Sequence, residues 1–344
     1  MKDGNGSKIE IYGVNQSIRK TLALNLILGK SKIIMDLRRK IECLSASDAN
    51  VLITGESGTG KEPTARGIHY LSSRSAKPFV PVNCGAIPES LFENELFGHV
   101  KGAYTDAHYQ HNGLIGEACG GTLFLDEVGV ITPYIQVKLL RLLQDKEYKP
   151  LGDNVSRKAN IRIIAATNEN LKELVKKGVF REDLYYRLDI VSFTIPPLRE
   201  RVDDIPILAH HFLEKFSQLY NKPIRDISPD AMERLVSYHW PGNVRELENK
   251  IQQAIVMATR EIIGVTDLQL PMDRRITHID YLENFNQAKK KFICAFEKDY
   301  LINLLTKFNG DVVTAAATAG KSRTAFWNLL ARHQLHPSHF SHSR

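Results

Sequence analysis

Short apolar runs alternate with amphipathic stretches over residues 50–197. Five of the runs have the length and β-branched content of buried strands: VLITG, FVPVN, TLFLDE, IRIIAATN and IVSFTI. Apolar residues at helical spacing lie between them, and strands that alternate with helices in this way indicate a mainly parallel sheet. The pattern predicts an α/β region.

The strand pattern stops after Pro196 and Pro197. Residues 205–220 and 229–238 are predicted as helices, which gives a helical second subdomain. A polar stretch over residues 273–280 precedes a third module, whose apolar residues recur at spacings typical of an amphipathic helix. Those residues are Leu282, Phe285, Phe292, Phe296, Tyr300, Leu304 and Phe308.

Composition narrows the class of protein. The 344 residues are 43% hydrophobic and 25% charged, as in globular proteins of two or three domains. No run reaches the ~18 to 20 apolar residues of a membrane span, and residues 1–8 lack the apolar core of a signal peptide, so we expect a cytoplasmic protein without membrane contact. Without a CxxC pair, the cysteines are expected to be reduced, mostly buried thiols: Cys43, Cys84, Cys119 and Cys294.

The positive charge is concentrated near the C-terminal end. The net charge is +7, and residues 274–344 hold eleven Lys and Arg against five Asp and Glu. This asymmetry favours a nucleic-acid-binding module at that end. A solvated helix face has a similar composition, so charge alone leaves both interpretations open.

A glycine-rich loop follows the first predicted strand and ends in Lys61 at the start of a helix. Glycines let successive backbone N–H groups turn toward an anion, the helix N-terminus adds its dipole, and the lysine reaches the terminal phosphates of a nucleotide. An ordinary glycine turn is the alternative for the loop taken alone. The pattern predicts a P-loop that binds ATP, here called the glycine loop: Gly55, Glu56, Ser57, Gly58, Thr59, Gly60, Lys61 and Glu62.

Polar side chains end two further strands. Asp126 and Glu127 follow TLFL, where an aspartate can hold Mg²⁺ and a glutamate can polarise the water that attacks the γ-phosphate. Asn168 ends IIAATN, where its amide is placed to orient that water. A solvated strand end is the alternative for each site alone. Together with the glycine loop, these residues predict hydrolysis of ATP with Mg²⁺.

These motifs, in this order and over nearly the whole chain, resemble the sigma-54-interacting AAA+ family, the bacterial enhancer-binding proteins. Where a general P-loop has Ser or Thr after the lysine, GESGTGKE has Glu62, which is this family's own form. The other matching motifs are PVNCGAIPE, ELFGHVKGAYTDA, GGTLFLDEVG, IIAATN, FREDLYYRLDI, PPLRERVDDI and WPGNVRELEN.

The resemblance implies an α/β fold, an AAA+ P-loop NTPase with a parallel sheet and a helical lid, followed by an all-α helix-turn-helix domain. It places the ATPase core at residues 9–198 and the lid at residues 199–272. A linker at residues 273–284 and a Fis-type DNA-binding domain with a flexible tail at residues 285–344 complete the expected organisation.

The resemblance also implies roles for single residues. Lys61 belongs to the phosphate cradle, Asp126 is the partner of Mg²⁺, Glu127 is the catalytic base and Asn168 is the first sensor. Asn83 is the polar switch that holds Glu127 until the remodelling target is engaged.

Three arginines receive roles in the same way. Arg181 and Arg187 correspond to arginines that a neighbouring subunit inserts, where a guanidinium offsets charge on the γ-phosphate, so activity would require a ring. Arg245, in WPGNVREL, corresponds to the second sensor on the lid. A surface ion pair is the alternative for each arginine.

One loop departs from the family pattern GAFTGA, which grips the sigma factor. Tyr104 keeps an aromatic ring, whereas Asp106 replaces a glycine that can adopt positive φ. The loop either still contacts sigma-54 or only closes the fold. Its residues are Gly102, Ala103, Tyr104, Thr105, Asp106 and Ala107.

The segment GDVVTAAATAGKSRTAFWNLLARHQL has helix-turn-helix spacing, with Gly320 at the turn and Ser322 as N-cap of the second helix. Phe326, Leu329 and Leu330 are assigned to the core. The residues expected to face a DNA major groove are Lys321, Ser322, Arg323, Thr324, Asn328 and Arg332.

The segment resembles the Fis-type domain, in which the preceding helix contributes to dimerisation. Trp327 and Asn328 stand where that family often has Tyr and Arg, so base preference is not carried over. The histidines after the second helix are expected to lie in a solvated, poorly ordered tail rather than to bind metal: His333, His336, His339 and His342.

The resemblance thus implies a sigma-54-dependent transcriptional activator. A dimer on double-stranded enhancer DNA would assemble into a ring, expected to be a hexamer, and would use ATP hydrolysis to remodel the sigma-54 RNA polymerase holoenzyme for open-complex formation. About ten residues precede Ile11. The controlling signal is therefore expected from a separate regulatory protein, from oligomerisation or from a missing domain.

Three other hypotheses remain. Asp106 favours a nucleotide-controlled DNA-binding regulator that no longer engages sigma-54. An AAA+ remodeller of another target, such as a helicase loader, is disfavoured by the PPLRER and Fis-type motifs. An enzyme of small-molecule phosphoryl transfer is disfavoured because no motif resembles an acceptor pocket.

Overall fold

A computed structural model describes residues 27–105, 107–270, 284–333 and 335–340 of the chain. These residues form two compact units, which divide between Gln269 and Leu270. The predicted start of the core at residue 9, Asp106, Leu282 and nearly all of the predicted linker at 273–284 lie outside the described residues. In the described ranges, no helix is long and apolar enough to cross a membrane.

Five parallel strands form the central sheet of the first unit, in the order β2-β3-β6-β1-β7. All five strands predicted from the apolar runs are therefore confirmed. Two short pairs, β4 with β5 and β8 with β9, lie apart from this sheet. The strands are β1 Val51–Thr54, β2 Phe79–Asn83, β3 Thr122–Asp126, β4 Glu147–Tyr148, β5 Arg157–Lys158, β6 Arg162–Thr167, β7 Val191–Thr194, β8 Asp226–Ile227 and β9 Ile262–Ile263.

Helices cover both faces of the sheet and form the rest of the chain. In the first unit they are α1 Lys32–Ser45, α2 Lys61–Leu71, α3 Glu89–Phe97, α4 Gly113–Glu117, α5 Pro133–Asp145, α6 Leu171–Lys176, α7 Glu182–Leu188, α8 Ile205–Leu219, α9 Pro229–Ser237, α10 Asn243–Met257 and α11 Val265–Leu268. In the second unit they are α12 Phe285–Lys307, α13 Val312–Thr318 and α14 Arg323–Arg332. Short 3₁₀ turns lie at Val128–Val130, Leu198–Glu200, Val202–Asp204 and Pro337–Phe340.

The sheet separates two apolar cores. On β3, Leu123 and Leu125 pack into the core that also holds α3, α5 and α7, whereas Phe124 packs into the core with α1 and α2. Alternate residues of a strand face opposite sides, so a strand that is apolar at every position must be covered on both faces. This three-layer arrangement explains the continuous apolar runs of the sequence.

The predicted helical second subdomain follows β7. Helix α8 packs against α10 and α9, and the predicted helices at 205–220 and 229–238 appear at Ile205–Leu219 and Pro229–Ser237. Trp240, which is fully buried, donates its indole N–H to the carbonyl oxygen of Leu235 at 2.8 Å. This contact joins α9 to the start of α10 and fixes where α10 begins.

The second unit is a helix-turn-helix on a longer helix. Gly320 turns the chain with a φ of 62°, and the Ser322 hydroxyl caps α14 by accepting the backbone N–H of Ala325 at 3.3 Å. Phe326 and Leu330 are fully buried and Leu329 packs against them. The predicted turn, cap and core residues are all confirmed, because each depends on chemistry within a few residues.

The helix predicted from the apolar series of the third module is confirmed as α12. Phe296 and Tyr300 are exposed, and their rings stack on each other, whereas the buried face of α12 holds Leu301, Leu304 and Leu305. The short helices α13 and α14 pack on the C-terminal half of this 23-residue helix. The side chains of Phe285 and Phe292 lie outside the described residues.

The prediction of mostly buried thiols is also wrong. Cys84 is buried, whereas Cys43, Cys119 and Cys294 are exposed. Composition does not reveal which side of a helix a cysteine occupies. The buried face of α1 is set by Ile34, Leu37 and Ile41, and Cys43 falls beside it.

His333 contradicts the prediction of a solvated histidine tail. It is buried, and its Nε2 lies 2.9 Å from the carboxylate of Glu297 on α12. The chain after α14 folds back because the N–H of Leu335 donates to the carbonyl oxygen of Leu330. His336 is exposed. The side chain of His339 and the whole of His342 lie outside the described residues.

Candidate functional site

The glycine loop connects β1 to α2, and Gly58 and Gly60 are glycines for different reasons. Gly58 has a φ of 76°, and a Cβ there would overlap the carbonyl oxygen of Gly242 at the start of α10. Gly60 has a φ of 105°, and a Cβ there would meet no atom within 4 Å. Gly58 therefore permits the close approach of the lid, whereas Gly60 permits the backbone turn.

Lys61 lies inside this loop. Its side chain is buried, and Nζ donates to the carbonyl oxygens of Gly55 at 2.9 Å and Glu56 at 3.1 Å. Burial lowers the pKa of the Lys61 ammonium, and the negative charges of Asp126 and Glu127 act in the opposite direction. The ammonium is therefore close enough to both carboxylates for their charges to act on it.

The two carboxylates lie at the carboxyl end of β3. Asp126 is the register partner of Asn83 at the end of β2, and its Oδ1 accepts the backbone N–H of Glu127 at 3.0 Å. Glu127 has a φ of 57°, which is uncommon for a residue with a side chain. Such backbone conformations persist where surrounding structure enforces them and are concentrated at functional sites.

The predicted switch residue Asn83 shapes the wall next to Glu127. Its Oδ1 accepts the backbone N–H groups of Gly85 at 2.9 Å and Ala86 at 3.1 Å. The turn brings Gly85 so close to Glu127 that a Cβ there would overlap Oε2 of the carboxylate. Among the described residues, no hydrogen bond joins the side chains of Asn83 and Glu127, and the turn at Gly85 is the structure that lies between them.

Asn168 follows β6, the strand between β1 and β3, and its side chain is exposed. Thr167, fully buried, pairs in register with Thr54 and accepts the backbone N–H of Glu169 at 3.0 Å. The sheet order thus places Asn168 at the same edge as the glycine loop and Asp126. The three strand-end motifs predicted from sequence meet here.

The lid contacts the glycine loop through Arg245 and through a residue that sequence analysis missed. Nη1 of Arg245 lies 3.3 Å from the hydroxyl oxygen of Ser57. Asn243, fully buried with a φ of 54°, donates to the carbonyl oxygen of Ser57 at 3.0 Å and accepts the N–H of Leu198 at 2.8 Å. Its place in the WPGNVREL motif was the only available signal.

Glu56 joins the same contact. Arg199 donates two hydrogen bonds to its carboxylate, at 2.6 and 2.9 Å, and Asn243 donates a third at 3.1 Å. The hydrogen bonds from Arg199, followed in size by the one from Asn243, lower the pKa of Glu56 to about 2. Arg201, which is buried, donates to the carbonyl oxygen of Thr59 at 2.8 Å. The PPLRER motif therefore supplies two arginines that hold the glycine loop.

An apolar cavity of about 60 Å³ lies beside the glycine loop. Its wall comes from the segment before α1, from the loop, and from the lid helices α8 and α10. The residues that give it apolar character include Ile27, Leu28, Ile34, Leu37, Leu208 and Val244.

Arg181 and Arg187 frame α7 at its two ends. The guanidinium of Arg181 pairs with Asp183, with bonds of 3.0 and 2.7 Å, and both side chains are exposed. Arg187 is exposed as well. Among the described residues, neither guanidinium bonds to the glycine loop of its own chain.

The departing loop projects its two central residues. The N–H of Gly102 donates to the carbonyl oxygen of Ala107 at 2.9 Å, and that of Ala107 to Tyr104 at 3.0 Å. Tyr104 and Thr105 are exposed, and the Tyr104 ring lies 5.1 Å from the ring of His99. Ala103 is half-buried, and Asp106 lies outside the described residues.

The predicted DNA-facing residues lie in the turn before α14 and on α14 itself. All six are exposed: Lys321, Ser322, Arg323, Thr324, Asn328 and Arg332. Arg332 also pairs with Glu297 of α12 at 3.7 Å. Trp327, next to Asn328, is exposed too.

A parallel sheet of this order, with the glycine loop after β1, the carboxylates after β3 and a helical lid, defines an AAA+ P-loop protein. A family model described as "Sigma-54 interaction domain" matches residues 27–194, and one described as "AAA+ ATPase lid domain" matches residues 199–279. The chain belongs to the sigma-54 interaction family of AAA+ transcriptional regulators, and its fold is the α/β AAA+ fold with a helical lid, followed by a helix-turn-helix.

Two regulatory proteins of Escherichia coli are similar to this chain over most of its length. The transcriptional regulatory protein GlrR of Escherichia coli (strain K12) is 44% identical over 314 residues, which cover 91% of this chain and 69% of GlrR. The regulatory protein AtoC of the same strain is 42% identical over 334 residues, or 96% of this chain and 72% of AtoC.

A solved structure is similar over the same extent. The crystal structure of NtrX from Brucella abortus in complex with ATP is 33% identical, covers 93% of this chain and 72% of that chain, and has a TM-score of 0.69. The likeness spans both units of the present chain.

Proposed function

We propose that this chain is a sigma-54-dependent transcriptional activator that hydrolyses ATP between the subunits of a ring and uses the energy to remodel sigma-54 RNA polymerase. The observation that carries the proposal is that the glycine loop after β1, Asp126 at the end of β3 and Asn168 after β6 meet at the carboxyl ends of one parallel sheet. The buried ammonium of Lys61 and the carboxylates of Asp126 and Glu127 bring opposite charges to this edge. A Mg²⁺-bound triphosphate would complete this arrangement of charges.

The residues of this edge fit a nucleotide with its metal. The space beside Gly60 is open, and the N-terminus of α2 would offer its backbone N–H groups to phosphates there. Asp126 would hold Mg²⁺, whose charge would stabilise the transferring phosphoryl group. Glu62 does not compete for the ion, because its carboxylate accepts two hydrogen bonds from Arg66, at 2.9 and 2.7 Å.

The proposal of a ring rests on Arg181 and Arg187, at the two ends of α7. Electrostatic stabilisation of phosphoryl transfer commonly uses an arginine supplied across an interface. Arg181 and Arg187 are exposed and free of the glycine loop of their own chain, within the described residues, so we assign them to the site of a neighbouring subunit. Asn168 would orient the attacking water and Glu127 would accept its proton. A hexamer is the ring size that we expect.

DNA binding is proposed for the second unit, as a dimer on enhancer DNA. The capped N-terminus of α14 and the exposed Lys321, Arg323 and Thr324 fit the recognition helix of a helix-turn-helix. The basic surplus of residues 274–344 supplies the non-specific part of the affinity.

Contact with sigma-54 is assigned to the loop that exposes Tyr104 and Thr105. The test mixes the full chain with isolated sigma-54, ADP and a metal fluoride that mimics the transferring phosphoryl group, and follows a stable complex by native gel. We expect a complex that a Thr105→Ala variant fails to form. Nucleotide trapping and ring assembly, measured in the same samples, serve as controls.

The second candidate is a nucleotide-controlled DNA-binding regulator that has lost sigma-54 contact. Asp106 favours it, because the family pattern has glycine at that position. Absence of the complex, with trapping and assembly intact, would establish this candidate against the activator. An Asp106→Gly variant that then gains the complex would identify the residue responsible.

A further inference from the structure

Gln136 on α5 is a buried polar residue that none of the roles above uses. Its side chain is fully buried, although glutamine is a residue type found mostly at protein surfaces. Burial of an amide is unfavourable unless its hydrogen-bonding groups find partners. The hydrogen-bond partners of Gln136 therefore indicate its role.

Three backbone groups surround this amide. Nε2 donates to the carbonyl oxygen of Ile131 at 2.9 Å and to that of Val179 at 3.0 Å, while Oε1 accepts the N–H of Arg181 at 2.8 Å. Only one orientation of the amide satisfies two acceptors and one donor, so the assignment of nitrogen and oxygen is fixed by the partners.

The backbone partners of Gln136 lie in two segments. In the proposed function, one segment serves the site of its own subunit and the other serves the site of the neighbour. Ile131 is four residues after Glu127 and directly follows the turn Val128–Val130. Val179 and Arg181 lead into α7, which carries Arg187 in its last turn. One side chain therefore links the strand-end segment with the catalytic base to the segment that presents both arginines.

The hydrogen bond to Oε1 of Gln136 is the directed restraint on the backbone N–H of Arg181. The carbonyl oxygen of Arg181 accepts the N–H of Tyr185 in α7, and its guanidinium is held by the exposed Asp183. Phe180, which is buried, anchors the same segment by packing alone. Packing fixes position less sharply than directed hydrogen bonds do, so Gln136 sets where Arg181 begins the helix.

We propose that Gln136 is a positioning residue for the arginines that a subunit offers to its neighbour. The inference rests on the proposed function, in which Arg181 and Arg187 act across the interface. It predicts an asymmetry: loss of Gln136 should harm the neighbour's site more than the site of its own subunit.

The test uses two full-length variants that are each inactive. An acceptor, with Arg181→Ala and Arg187→Ala, keeps its own glycine loop and Glu127 but offers no arginines. A donor, with Glu127→Gln, offers arginines but lacks its own base. Mixing the two should restore ATP hydrolysis, since each donor completes the site of an adjacent acceptor.

Gln136→Met is then added to one partner at a time, because methionine keeps the length and apolar packing but neither donates nor accepts these bonds. In the donor, we expect the restored kcat to fall about 10- to 100-fold with KM unchanged, as small misplacements of catalytic groups do. In the acceptor, we expect a loss within about threefold. Gln144→Met, at an exposed position of the same helix, is the matched control.

Equal losses in donor and acceptor would overturn the inference and leave Gln136 a structural residue. If Gln136→Met does not fold, judged by circular dichroism and nucleotide affinity, Gln136→Leu gives the same asymmetry test, since leucine is shorter and also removes the acceptor for the Arg181 N–H and both donors. Failure of the parent mixture, with Gln136 present in both partners, would instead refute the assignment of the arginines across the interface, and the inference with it.

Discussion

The two units hold their functional side chains by different means. In residues 27–269, the glycine loop, Asp126 and Asn168 come from strand ends far apart in sequence, and parallel pairing brings them to one edge. In residues 284–340, the predicted DNA-facing residues lie within one helix and the turn before it. The first arrangement is supported by two large cores, and the second by one small core.

This difference has a consequence for substitutions. In the first unit, residues that carry chemistry can change while the cores keep the fold, so function and stability should separate. In the second unit, one small core supports the exposed residues of α14, so function and stability should fail together.

Phe326→Ala should unfold the second unit. Phe326 is fully buried in a core with Leu301, Leu305 and Leu330, and removal of a buried phenylalanine side chain costs about 3–5 kcal/mol. That amount approaches the stability of a small unit. We expect loss of DNA binding in a fluorescence-anisotropy titration, with nucleotide affinity unchanged.

Trp327→Ala is the control for that variant, because the neighbouring side chain is exposed. It should leave the helical content of the second unit intact. A fall in nucleotide affinity with Phe326→Ala would contradict the separation of the two units.

Lys61→Ala should remove the chemistry of the first unit without unfolding it. The ammonium is the group placed to meet the terminal phosphates, and loss of one such stabilising group lowers the rate about 100-fold or more. Steady-state ATP hydrolysis measures the loss, while DNA affinity should stay within about twofold. Lys177→Ala, at an exposed position, is the matched control. Equal losses in both variants would contradict the role of Lys61.

The parts of the molecule that were predictable from sequence follow the same division. The five strands could be predicted because parallel strands covered on both faces have continuous apolar runs, as at residues 123–125 of β3. Gly320 and Ser322 could be predicted because a turn and a cap depend on neighbours within a few residues. The strand-end motifs revealed the candidate site because their order matches a known pattern.

The parts that were not predictable depend on distant partners. Gln136 and Asn243 are single polar residues within helical patterns, and their partners lie 45 and 187 positions away. Nothing near Gln136 in sequence distinguishes it from a solvated residue, and the only signal for Asn243 is its place in WPGNVREL. Phe296 and Tyr300 belong to the predicted apolar series and are exposed, because spacing shows that a helix has an apolar face but not how much of its length a neighbour covers.

Acidification should weaken the first unit before it affects the second. Burial, as the main cause, lowers the pKa of His69 to about 4 from an ordinary value of 6.5. The folded state keeps this imidazole neutral, so stability is fully present above pH 6.5 and is lost as the pH falls toward 4, because the unfolded chain binds a proton that the folded chain does not. The loss amounts to about 2 to 3 kcal/mol.

Urea denaturation at a series of pH values measures this loss. In the second unit, hydrogen bonds from Thr314 and the helix N-terminus hold the pKa of Asp311 below its usual 3.8, so that cap contributes stability until the pH falls below that value. His69→Leu should flatten the dependence of the first unit between pH 6.5 and 4, whereas His108→Leu, at an exposed position, should not. An unchanged slope with His69→Leu would show that another group is responsible.

Gly85→Ala should produce the smallest and most specific effect. The backbone of Gly85 lies outside the left-handed region, so alanine fits the fold, but its Cβ would displace the Glu127 carboxylate. A displaced base should lower kcat about 10-fold and leave KM and the free energy of unfolding nearly unchanged. Stopped-flow release of phosphate measures kcat directly.

Gly264→Ala provides the comparison, since the nearest atom to a Cβ there is the Asp267 carboxylate at an ordinary 3.5 Å. If Gly85→Ala leaves kcat unchanged, the position of Glu127 against the Asn83 turn has no part in catalysis. If KM rises instead of kcat falling, the alanine has shifted the nucleotide rather than the base. A selective fall in kcat would show that the turn made by Asn83 controls Glu127 through the backbone of Gly85, without a direct bond between the two side chains.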